Sequence, residues 1–88
     1  MAGQDSATHR DAQLVAPPGG VMTDEVGVIT GELDLRTELA GDKVTMKARY
    51  RDTDEWYRVT NVGATLADPA DLDAVHAVAV ALLNRPEG

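Results

Sequence analysis

The stretch Lys43-Val44-Thr45-Met46-Lys47-Ala48-Arg49-Tyr50-Arg51 changes character at every second residue. Val44, Met46, Ala48 and Tyr50 are apolar, while Lys43, Thr45, Lys47, Arg49 and Arg51 are polar or cationic. Successive side chains on a strand point to opposite faces, so the spacing predicts a strand with one buried side and one basic side. A half-buried sheet is the frame that the rest of the chain must suit.

The flanking segments supply partners for that strand. From Val26 to Arg36, the residues Ile29, Gly31, Leu33 and Leu35 face one way, and Thr30, Glu32, Asp34 and Arg36 the other. With Thr37 to Asp42 as the connection, Arg36 meets Lys43, Leu35 meets Val44, Leu33 meets Met46, Gly31 meets Ala48 and Ile29 meets Tyr50, so the apolar residues share a face. The same register sets Glu32 against Lys47. Asp52 to Glu55 form a second turn leading into a third strand, Trp56 to Val62. A short loop at Thr53-Asp54 pairs Tyr50 with Tyr57 and Ala48 with Val59. It also sets Trp56 beside Arg51 and Arg58 beside Arg49 on the basic face. A loop longer by one residue would bury Arg58, and an unpaired buried charge is costly.

A helix follows. Asp68 is a suitable N-cap, Pro69 suits the first helical position, and Asp71 and Asp73 place negative charge at the positive end of the helix dipole. The helix is expected to run to about Asn84, with Pro86 preventing continuation. Its apolar stripe is Leu72, Val75, Ala79, Leu82 and Leu83. Residues 1–20 have little apolar content and end in Pro17-Pro18-Gly19-Gly20, the pattern of a disordered tail. The expected fold is α+β: a three-stranded antiparallel meander followed by one C-terminal helix packed on one sheet face, β-β-β-α, with residues 21–88 as a single small domain.

At 88 residues, with no Phe and much of its 43% hydrophobic content in Ala and Val, the chain has a core of small pieces. It has no Cys, which removes disulfides, thiolate metal sites and a cysteine nucleophile. Small domains of this kind gain stability by oligomerising or by binding a partner. The first ten residues lack the apolar stretch of a signal peptide, and the longest apolar run, Ala77 to Leu83, is too short to cross a bilayer. A soluble cytoplasmic protein without a membrane partner is expected. The preference for Ala, Val and Arg suits a high-GC bacterial coding sequence.

Two surfaces are candidate working sites. Lys47, Arg49, Arg51, Trp56 and Arg58 gather on the sheet's basic face, where Arg and Trp are the side chains most used to anchor a protein partner. The bland reading is that Glu32 and Asp34 neutralise this face while Arg51 stacks on Trp56. On the helix, Ala70, Ala74, Ala77 and Ala81 form a stripe of small residues flanked by Val78, suited to self-association as a homodimer, although Ala is also simply the best helix former. His76 and Asp73 lie one turn apart, and a lone His beside an apolar stripe is usually a boundary residue. No cofactor or metal is expected: Asp68, Asp71 and Asp73 are explained by capping and lack the ligand pattern of a calcium loop. The only Ser, Ser6, lies in the tail, and no catalytic constellation appears. The expected function is therefore a small non-enzymatic protein-interaction or regulatory module. The alternative is nucleic-acid binding through the basic face, which the net charge of −7 and the acidic helix N-terminus oppose.

Overall fold

The computed structural model describes residues 7–84. Six antiparallel strands form one sheet: β1 (Ala7–Val15), β2 (Val21–Thr23), β3 (Gly27–Ile29), β4 (Glu32–Ala40), β5 (Lys43–Tyr50) and β6 (Tyr57–Thr65). Their spatial order is β1-β4-β5-β6-β2-β3. A 3-10 turn at Pro69–Asp71 leads into the helix α1 (Leu72–Leu83). The three-stranded meander expected from the sequence is thus the centre of a larger sheet, β4-β5-β6, and the fold is corrected to six strands and one C-terminal helix.

The expected disordered tail is corrected as well, for Ala7–Val15 is an edge strand paired with β4 over its whole length, from Ala7 opposite Ala40 to Val15 opposite Glu32. Residues 1–6 of that tail lie outside the described residues. The β4–β5 hairpin also differs. Its alternation runs on through Thr37 and Leu39, so the turn shrinks to Gly41-Asp42, with Ala40 opposite Lys43. Gly41 takes φ +65°, as the first central position of a type II′ turn requires. Leu33 then faces Tyr50, Leu35 faces Ala48, Thr37 faces Met46 and Leu39 faces Val44. The expected Glu32–Lys47 pairing gives way to Asp34–Arg49 and Arg36–Lys47. Between β5 and β6, Ala48 meets Tyr57 and Lys47 meets Arg58. This is a shift of two residues from the expected register, so Val59 stays inside and Arg58 outside. A bulge follows in which Asn61 adopts φ +60°. Four residues of β6, Val59 to Val62, there face the single Met46 of β5, and this odd excess of three resets the alternation and returns Val62 to the apolar side.

The sheet cannot be flat. Only Thr30 and Gly31 separate β3 from β4, yet β3 lies at the far end of the sheet from the β1–β4 pair. Four strand spacings amount to about 19 Å, whereas three Cα steps reach about 11 Å at most. The sheet must therefore roll so that the β2–β3 hairpin closes back towards β4, and Gly31 makes the corner at φ +89°. Val21 and Ile29 from the hairpin accordingly share one core with Leu14, Leu33, Leu35, Met46, Ala48 and Val59. The hairpin joins β6 through Thr23 opposite Val59 and a hydrogen bond from the Asp24 N–H to the Arg58 carbonyl.

The helix packs over β1 and β4 rather than over the middle of the sheet. It is tied to β1 at both ends: Arg10 Nε donates to Asp73 Oδ1 at 2.7 Å, and the Val15 N–H donates to Asn84 Oδ1 at 3.1 Å. Five residues of strand and eleven of helix both span about 17 Å, so the two elements match in length. Leu72 is buried with Leu39 and Val44 in a smaller core. His76 Nδ1 lies 2.8 Å from the hydroxyl of Thr37, a fully buried strand residue. Asp68 accepts from the Ala70 N–H as expected of a cap, but it caps the 3-10 turn, and the α-helix proper begins at Leu72.

Candidate functional site

The side of the sheet turned away from α1 carries the residues expected to form a basic face. Here the strands place each cation of the central lattice against an acid. Arg36 binds Asp11 through two hydrogen bonds of 2.7 and 2.8 Å, Arg49 Nε binds Asp34 at 2.9 Å, and Lys47 Nζ lies 3.4 Å from Glu38. Arg51 reaches Glu32 at 3.1 Å and donates to the carbonyls of Leu14 and Leu33, both at 3.2 Å. That guanidinium ties the end of β5 to the β1–β4 pair. Hydrogen bonding to Arg36 holds the Asp11 carboxyl below its ordinary range, and the same contact pushes the Arg36 guanidinium up.

Trp56 lies over this lattice. The guanidinium carbons of Arg36 and Arg49 lie 4.5 and 4.3 Å from its ring centroid, within cation–π range. The expected stacking partner, Arg51, is replaced by these two because Trp56 falls next to Arg49 in the observed register. Of the five predicted residues, Lys47, Arg49, Arg51 and Trp56 thus come together but are engaged with their neighbours. Arg58 is exposed, and among the described residues its side chain makes no ion pair. Beside Trp56, a polar hollow of about 300 Å³ is bordered by Asp11, Gln13, Asp34 and Arg49. The carboxylates there are already held by Arg36 and Arg49.

The other side presents the opposite situation. Because α1 is tethered to β1, its far flank does not reach β5 and β6. A groove of about 510 Å³ remains between them. Its helical wall is Ala74, Val75, Val78 and Leu82, its floor is Met46 and Val62, and Ala79 and Leu83 close its base. Every lining residue is apolar. Val78 is 59% exposed and Leu82 61% exposed, the highest values among the large hydrophobic residues. The placing of Leu82 in a sheet-facing stripe is corrected: Leu72, Ala79, Val80 and Leu83 pack on the core, and this rotation, to which the Arg10–Asp73 and Val15–Asn84 ties conform, turns Leu82 into the groove. Of the residues expected for self-association, Ala74 and Val78 line the groove. Ala70, Ala77 and Ala81 are exposed on the helix's outer side. Sequence reasoning missed that a buried Met46 and a partly buried Val62 form the groove's floor, since that depends on where the helix lies.

His76 is used in docking the helix through Thr37. No helix among the described residues is long and apolar enough to cross a membrane. Comparison with family models, with curated proteins and with solved structures finds no match to this chain.

Proposed function

We propose that this chain is a small, non-enzymatic, cytoplasmic protein-interaction module whose working surface is the apolar groove beside α1. The observation that carries the reading is the exposure of Val78 and Leu82 in a groove without a polar lining side chain. Fully covering a side chain of that kind is favourable by about 1.5–3 kcal/mol, and contiguous apolar surface of this sort marks interaction sites. The outer face supports the reading by contrast. Its central cations Arg36, Lys47, Arg49 and Arg51 are paired with carboxylates, so phosphate would have to displace Asp11, Asp34, Glu32 and Glu38 there, which argues against the nucleic-acid alternative.

The test is a photo-activatable cross-linking residue placed at position 82, in the groove, or at position 58, on the outer face, with the protein expressed in cells. Protein adducts are expected at position 82. Adducts formed at position 58 and not at 82 would move the working surface to the outer face.

A further inference from the structure

We infer that the occupant of the groove is a second copy of this chain, its α1 lying antiparallel to the first about a two-fold axis near Val78. This rests on the groove being the working surface and names what fills it. Charge makes the first argument. The chain carries a net charge of −7, so two copies repel over most of their surface. From Ala74 to Asn84 the sequence holds no Asp, Glu, Lys or Arg, and His76 is turned to Thr37. The α1 flank is a surface where two acidic molecules can meet without opposing like charges. A groove with no acid or base in its lining likewise selects a neutral apolar helix, and α1 is one.

Shape makes the second argument. Val75, Val78 and Leu82 recur at three and four residues, the spacing of a helix–helix seam. Each copy offers this ridge with Val78 and Leu82 uncovered above a partly open Val62, so one contact repeated by symmetry covers both copies, the condition for an isologous interface. Ala74 and Ala81 beside the ridge allow close approach. Polarity then fixes the direction. The acidic residues Asp71 and Asp73 stand at the start of α1, and the next charge in the sequence after them is the cation Arg85. An antiparallel pair separates the two acidic ends and aligns the helix dipoles favourably, whereas a parallel pair stacks acid on acid. The groove has no polar group to orient a small molecule, which such ligands need.

The sequence has no Cys, so introduced thiols report without background. Full-length chain carrying Val78→Cys is expected to oxidise to a covalent dimer, because position 78 faces its own copy across the axis. Ala74→Cys alone is expected to yield at least about tenfold less, since antiparallel helices hold the two thiols about 12 Å apart along the axis, beyond disulfide reach. Ala74→Cys mixed with Leu82→Cys is expected to give the mixed dimer. Equal self-linking at 74 and 78 overturns the antiparallel arrangement. Sedimentation of the unmodified chain should show reversible dimerisation that Leu82→Glu weakens by about a hundredfold, as each dimer would hide two carboxylates. A monomer up to millimolar concentration overturns the proposal. Adducts at position 82 with a different protein only would leave the groove as the working surface and reject the second copy, while no adduct at 82 would reject both.

Discussion

The outer face of the sheet and the groove beside α1 differ in where their chemistry is satisfied. Around Trp56 the charges are mostly met within the lattice: Arg36 has Asp11, Arg49 has Asp34, Lys47 has Glu38, and both Arg36 and Arg49 lie against the indole, while the buried Arg51 Nε is left without a hydrogen-bond partner. Beside the helix, Val78, Leu82, Met46 and Val62 border a groove that no element of the described chain fills. The charged, aromatic-bearing surface looks like a binding site in the sequence but mostly binds itself. The surface of simple aliphatic residues is the one left open. Unmet contacts, and not residue types with a reputation for recognition, mark the better candidate.

From that contrast, substitutions on the outer face are expected to cost stability and substitutions in the groove to cost association. The largest effect is expected from Asp34→Ala, which leaves Arg49 without its carboxylate and Arg51 with one acid fewer. A loss of about 2 kcal/mol or more in urea unfolding is expected, and a loss under about 0.5 kcal/mol would mean the lattice is loose. Trp56→Ala should cost about 1–2 kcal/mol through the lost stacking and area, without changing association in sedimentation. If it abolished association instead, the comparison would be reversed.

A smaller effect separates the Asp11–Arg36 pair. Asp11 has a carboxyl pKa lowered in the fold, so its contribution is full above the ordinary carboxylate pKa and is lost as pH falls through the lower, folded value. The stability gap between the native chain and Asp11→Asn should therefore be at most about 1 kcal/mol at neutral pH. Denaturant titrations should find it closing as pH falls below about 4. A gap that widened on acidification would contradict the pairing. Smallest of all should be the effect of Leu82→Glu on folding, within about 0.5 kcal/mol because the site is exposed. Greater destabilisation, measured where the chain is monomeric, would mean Leu82 belongs to the core.

Much of the central sheet was legible in the sequence because β5 and β6 have one wet and one dry side. The hairpin register was missed at Thr37, a polar residue that reads as a turn but is fully buried opposite Met46 with His76 as its hydrogen-bonding partner. Leu39 and the Gly41-Asp42 pair carried the signal that could have corrected it. The β1 strand gave almost none: its inward side is Thr8, Arg10, Ala12 and Leu14, and it is a strand because β4 and α1 hold it from far along the chain. The groove was invisible for the same reason. Helical spacing alone places Leu82 beside Leu83, and the packing of Leu72, Val80 and Leu83 on the sheet, with the ties at Arg10 and Val15, decides which of the two faces inward.

Those ties also order events in time. The Arg10–Asp73 and Val15–Asn84 contacts join residues 63 and 69 positions apart. During synthesis β1 emerges first among the described strands, before β4 exists to pair with it, and it is not secured on its helix side until α1 leaves the ribosome last. The β4–β5 hairpin, closed by two residues, can form early on its own. The nascent chain thus carries β1 unpaired until β4 is made, and uncovered on its helix side until α1 follows. Slowing the ribosome just before residue 32 would prolong the unpaired interval and expose β1 to pairing with neighbouring nascent chains.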